Sequence, residues 1–190
     1  MINCNFVNSD IKDVILDSTF VDEKTTFGKT LFSEHQKNYH FASIEYKQIK
    51  EMYKNSSLYG IADKYRYREM VAKRKITPLT NPKRWMNYIF GDLLCKYGIS
   101  FGRVILWSAF VIIICAIFLK TNNSLLYNNT KIEASFLDSL YFSLVSFTTL
   151  GYGDFHAFGF MRFVAGLESF IGATLMALFA VIVGRHIIRD

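Results

Sequence analysis

Proline is nearly missing from this chain: Pro78 and Pro82 are the two in 190 residues, so a low-complexity or proline-rich linker protein is excluded. Cysteine is as sparse. Cys4, Cys95 and Cys115 are odd in number and far apart, which leaves neither a disulfide framework nor a cysteine metal cluster. No cleavable signal peptide is expected in the first residues, because Asp10, Asp13 and Asp17 interrupt any apolar stretch there. No apolar segment carries arginine at every third position, so voltage sensing of the usual kind is not supported. His35 and His40 have no carboxylate at ligand spacing, and no nucleophile, acid and base fall into a catalytic pattern. No enzyme, resident metal or cofactor is expected.

Acidic residues are scarce in one place. From Lys73 to Arg103, Asp92 stands alone against Lys73, Arg74, Lys75, Lys83, Arg84, Lys96 and Arg103. A net charge of +6 is compatible with nucleic-acid binding, but this cluster lies just ahead of an apolar run. It reads as the cytoplasmic flank of a membrane span, with anionic lipid heads within its reach. No nucleic-acid partner is expected.

What the chain has is apolar length. Val104 to Leu119 is broken by nothing stronger than Ser108, and Arg103 and Lys120 can snorkel at its ends. That nears the lower limit for a span of about 17–25 residues. A buried helix in a soluble domain is the rival reading. A second apolar run extends from Phe160 to Ile188, punctuated by Gly166, Gly172 and Gly184 and ending in Arg185, His186 and Arg189. Between them, 136–147 predicts a helix too short to span, with Asp138 and Ser139 near its start.

Directly after that short helix comes Thr148-Thr149-Leu150-Gly151-Tyr152-Gly153-Asp154. For consecutive carbonyls to point one way, the backbone must alternate between left- and right-handed conformations. Glycine visits the left-handed region without a Cβ penalty, and Gly151 and Gly153 stand at alternate positions. The stretch resembles the selectivity-filter signature of potassium channels, and residues 101–190 resemble a two-span potassium channel pore domain. The resemblance implies a homotetramer in which carbonyl rings replace the water shell of potassium. Thr149, Leu150, Gly151, Tyr152 and Gly153 would bind the ion, with Tyr152 packed outward and Asp154 at the outer mouth. Potassium is then the permeant ion, not a cofactor.

Two residues of the second run are further candidates. Glu168 is the one acid inside it, and an ionisable residue at that depth is expensive. It is expected behind the short helix, where Ser143, Ser146 or the backbone N–H groups of residues 149–153 would receive it, as a filter brace. Some relatives keep a bracing carboxylate where Val145 stands here. A Glu168–Arg162 pair at the interface is the alternative, and the protonation state of Glu168 is open. Gly172 is the candidate gating hinge, with close helix packing as its alternative.

Ahead of the pore region the chain divides into shorter pieces. Within residues 1–28, Cys4-Asn5-Phe6, Ser9-Asp10-Ile11, Val14-Ile15-Leu16 and Thr19-Phe20-Val21 follow a five-residue period. This is similar to pentapeptide-repeat proteins, which implies a β-helix stub. Residues 39–76 predict a helical hairpin broken at Asn55-Ser56-Ser57. Its inner faces are expected to be Ile44, Ile49, Met52 and Tyr53, and then Leu58, Ala62, Tyr65, Met70 and Val71. Residues 82–98 predict an interfacial amphipathic helix, with Trp85, Ile89, Phe90, Leu93 and Leu94 on one side and Lys83, Asn87 and Asp92 on the other.

The fold class expected is mainly α and membrane-bound: two transmembrane helices, a re-entrant pore helix and a filter, preceded by a small cytoplasmic region. Both termini are expected on the cytoplasmic side of a prokaryotic plasma membrane. No ligand-binding domain is expected beyond Asp190, so a gating signal would enter through the N-terminal region, where a protein partner can bind. A non-conducting membrane anchor and a protein-binding module are the rival functions.

Overall fold

The computed structural model describes residues 1–7, 19–128 and 130–188. It forms two units, Met1–Ile99 and Ser100–Asp190.

The first unit is built on a pair of helices. A short helix, α1 (Phe32–His35), leads into α2 (Tyr39–Asn55) and α3 (Tyr59–Ile76). Asn38 starts α2 by accepting a hydrogen bond from the Phe41 N–H. Ala42, Tyr46, Ile49 and Tyr53 recur at three- and four-residue steps, so they form one stripe, and all are buried. Ala62, Tyr65 and Ala72 of α3 meet them. Ile44, expected inside, is exposed. It stands two residues from both Ala42 and Tyr46, roughly 200° around the helix from the stripe. Met70 and Val71 are only half-buried, because Glu69 and Ala72 occupy the inward positions. Glu69 can be there because Lys50 Nζ, 3.0 Å away, and Lys73 Nζ both donate to its carboxylate.

The N-terminal segment is tied to this hairpin. Asn5 and Thr26 form a parallel bridge, Phe6 stacks on Phe27 at 5.0 Å, and Phe27 meets Tyr53 and Tyr65 edge-on. The Val21 N–H donates to Ser56 Oγ at 2.8 Å. The middle of the five-residue pattern, Ser9-Asp10-Ile11 and Val14-Ile15-Leu16, lies outside the described residues.

Asn81 and Pro82 open α4 (Pro82–Met86), which passes into a π-helical stretch, Asn87–Leu93. Here the expected polarity is partly reversed. Asp92, expected on the solvated side, is buried: it accepts from the Tyr67 hydroxyl at 3.1 Å and from Arg74 at 2.8 Å. Those two α3 side chains supply the charge and hydrogen bond that make its burial tolerable. Trp85 (56% exposed), Met86, Ile89 and Phe90 are left facing outward.

The second unit begins with α5 (Phe101–Thr121) and ends with α7 (Met161–Ile187), each long and apolar enough to cross a membrane. Both are apolar all round and little buried within the chain. That is the pattern of a membrane span, not of a soluble core helix. Between them lie β1 (Leu125–Tyr127), β2 (Thr130–Lys131), α6 (Phe136–Phe147) and β3 (Phe155–Ala157). The strands form a small antiparallel sheet ordered β2-β1-β3, in which Leu126 pairs with Lys131 on one side and His156 on the other. Leu119, Leu125, Ala134, Ala157 and Met161 form the core that joins this sheet to the helix ends.

The start of α6 is fixed locally. Ser135 Oγ accepts from the Asp138 N–H at 3.2 Å, and Asp138 returns the bond to the Ser135 N–H at 2.9 Å. Two of the helix's orphan N–H groups are thereby satisfied.

Candidate functional site

The segment after α6 leaves the helix in two steps. Thr149 N–H still donates to the Ser146 carbonyl and Leu150 N–H to the Val145 carbonyl, both at 3.1 Å. From there the backbone alternates. Thr149, Gly151 and Gly153 have φ of +57°, +56° and +80°, while Leu150 and Tyr152 between them stay outside that region. Alternation of this kind turns successive carbonyls toward one side, which neither a strand nor a helix does. Among the described residues, no hydrogen bond is made to the carbonyls from Thr149 to Gly153. Backbone carbonyls are obligatory acceptors, so five in a row without a partner among the described residues are free to take another ligand. The side chains here are open as well: Leu150 is 57% and Tyr152 68% exposed.

The far end of the segment is anchored. The Asp154 carboxylate accepts from the Phe155 N–H at 3.0 Å, and its charge acts on the nearby Tyr141 hydroxyl of α6. The Asn128 N–H donates to the Asp154 carbonyl at 3.5 Å. Phe155 then packs between the Tyr127 and Tyr141 rings, at 5.1 and 5.8 Å. The segment is thus stretched between the end of α6 and the sheet.

One face of α7 grips the last turns of α6. Glu168, Ser169 and Gly172 share that face by their spacing. Glu168 is 2% exposed, and its carboxyl hydrogen-bonds Ser143. Ser169 Oγ donates to the Ser146 carbonyl at 2.8 Å. Gly172 lies against the Phe147 backbone so closely that an added Cβ would meet its carbonyl oxygen at 2.1 Å. Arg162 is engaged elsewhere, since its Nε donates to the Ala157 carbonyl at 3.1 Å.

Residues 100–189 match the family model of ion channels. No curated protein and no solved structure matches the chain. The match covers the second unit, both apolar helices included, and supports an ion channel in a membrane. It points to a transport protein without an enzymatic reaction.

Several participants had no signal in the sequence. Thr149 at positive φ is not announced by a β-branched residue, which ordinarily avoids that region. Ser169, Tyr141 as a partner of Asp154, and Cys115 beside Glu168 depend on how the helices are rotated against one another. The i, i+1 pair Glu168-Ser169 gives a hint after the fact: two polar side chains on an apolar helix must both find partners.

Proposed function

We propose that this chain is one subunit of a potassium-selective channel, with four copies ringing a single pore. The observation that carries the reading is the alternating backbone at Thr149, Gly151 and Gly153, with its carbonyls unclaimed among the described residues. One chain supplies one such segment, and a closed ring of segments needs rotational symmetry. Dehydrated ions then step between rings formed by the carbonyls of Thr149, Leu150, Gly151, Tyr152 and Gly153. Asp154, held at the end of the segment, concentrates cations at the outer mouth. Tyr152, exposed in the single chain, packs against a neighbouring subunit.

In this reading α6 is the pore helix and α7 lines the conduction path. Glu168 braces the filter through the last turns of α6. Gly172 is the hinge of α7, and its contact with the Phe147 carbonyl couples any bend there to the end of the pore helix. The outward apolar row of Trp85, Met86, Ile89 and Phe90, beside Lys83 and Arg84, rests on the cytoplasmic face of the bilayer, and both termini lie on that side. The N-terminal region is then available to a cytoplasmic protein partner.

Rubidium uptake into potassium-loaded liposomes tests the function directly. Purified protein that runs as a tetramer and drives uptake supports the reading. A well-formed tetramer with no uptake makes the second unit a membrane anchor, and a dimer leaves the ring open.

A further inference from the structure

Three helices of the second unit meet at one hydroxyl. Ser143 Oγ of α6 is 2.8 Å from the Ile112 carbonyl oxygen of α5 and within hydrogen-bonding distance of Glu168 Oε1 of α7. Each oxygen-to-oxygen contact needs a proton between its atoms; without one, lone pair faces lone pair. A serine hydroxyl owns one proton and a backbone carbonyl none. Two contacts and one serine proton leave one proton to be found.

We infer that Glu168 is the donor: it works as the neutral acid, giving its proton to Ser143 Oγ while Ser143 gives its own to the Ile112 carbonyl. This relay ties α5, α6 and α7 together one turn before α6 ends at Phe147, and so positions the segment that follows. Glu168 is a positioning residue, acting through Ser143. The inference rests on reading residues 149–153 as the filter.

The surroundings agree with a neutral acid. The second carboxyl oxygen, Oε2, is buried without a hydrogen-bond partner. A carboxylate there would carry charge on an unsolvated atom, whereas the carbonyl oxygen of a neutral acid loses far less by burial. Among the described residues, no cation faces it. Cys115 of α5 lies alongside, and a cysteine brings no positive charge. Asp138, the acid of α6, is held at that helix's other end by Ser135. Arg162 of α7 is spent on the Ala157 carbonyl, and Lys120 sits by the Phe136 ring near the end of α5.

Two readouts on the full chain in liposomes test this, one of them independent of conduction. Infrared spectra at neutral pH should contain the carbonyl stretch of a protonated carboxylic acid that is lost in Glu168→Gln. Absence of that band overturns the neutral acid, even if the protein proves not to conduct potassium at all. In single-channel recordings Glu168→Gln, which keeps a neutral donor, should sustain current as wild type does. Glu168→Leu, which keeps the volume and no donor, should lose sustained current. Should Glu168→Leu fail to assemble, Ser143→Ala removes the bridge with a smaller change and should show the same loss. Sustained, selective current in Glu168→Leu or Ser143→Ala overturns the positioning role.

Discussion

The Cβ that Gly172 lacks would stand 2.1 Å from the carbonyl oxygen of Phe147, the last residue of α6. Backbone cannot retreat as a flexible side chain can, so an alanine here must push the two helices apart. Overpacking of this kind costs about 1–3 kcal/mol. Gly172→Ala should lower the melting temperature of the assembled protein and shift its open probability together. A variant that melts and gates as wild type does would remove both the contact and the hinge from the account.

Gly153 sits at φ +80°, and the nearest side-chain atom to an added Cβ, from His156, would be an ordinary 4.0 Å away. Alanine there meets no clash, only backbone strain of order 1–3 kcal/mol. Gly153→Ala should therefore leave assembly intact and damage ion preference, read as a reversal potential that moves toward zero in a potassium/sodium gradient. An unchanged reversal potential would show that the left-handed backbone at this position is not needed.

Much of this was legible in the sequence, and what was not has a common cause. Apolar length gave the two spanning helices, and alternate glycines gave the left-handed positions at 151 and 153. The buried stripe of α2 departs from hydrophobicity alone, because Ile44 is hydrophobic but off the stripe, while Tyr46 is polar-tipped and on it. Tyr46 is admitted because Glu34 accepts from its hydroxyl at 2.6 Å. Asp92 misled for the same reason, since Arg74 and Tyr67 come from another helix. Composition shows what a residue is, and burial of a polar group depends on partners that only the fold supplies.

The start of α6 rests on the Ser135–Asp138 exchange. Ser135→Ala should cost about 1 kcal/mol of stability. Thermal unfolding of the reconstituted protein is the check, and a melting temperature equal to wild type would mean that the Ser135 hydroxyl is not needed as the acceptor for the Asp138 N–H.

Acid should weaken the first unit. Burial alone raises the Glu69 carboxyl, but the ammonium groups of Lys73 and Lys50 outweigh it and the net shift is downward. Glu34 is lowered likewise, against its own burial, by the Tyr46 hydroxyl and Lys75. A carboxyl depressed in the folded state adds stability that is present above its unfolded value, and loses it as pH falls through the folded one. With unfolded glutamate near 4.3, the loss should begin as pH drops below about 5. Melting temperatures of the full chain should fall across that window, and less steeply for Glu69→Gln. Parallel curves for the two proteins would mean the Lys50–Glu69–Lys73 group contributes nothing there.

Potassium selectivity through a ring of residues 149–153 is the central claim. Single-channel recording with potassium on one side of the bilayer and sodium on the other measures it most directly. The account predicts discrete openings whose current reverses close to the potassium equilibrium potential, and a shift of that reversal in Gly153→Ala. Openings that reverse at zero, or a tetramer that never opens, would contradict it.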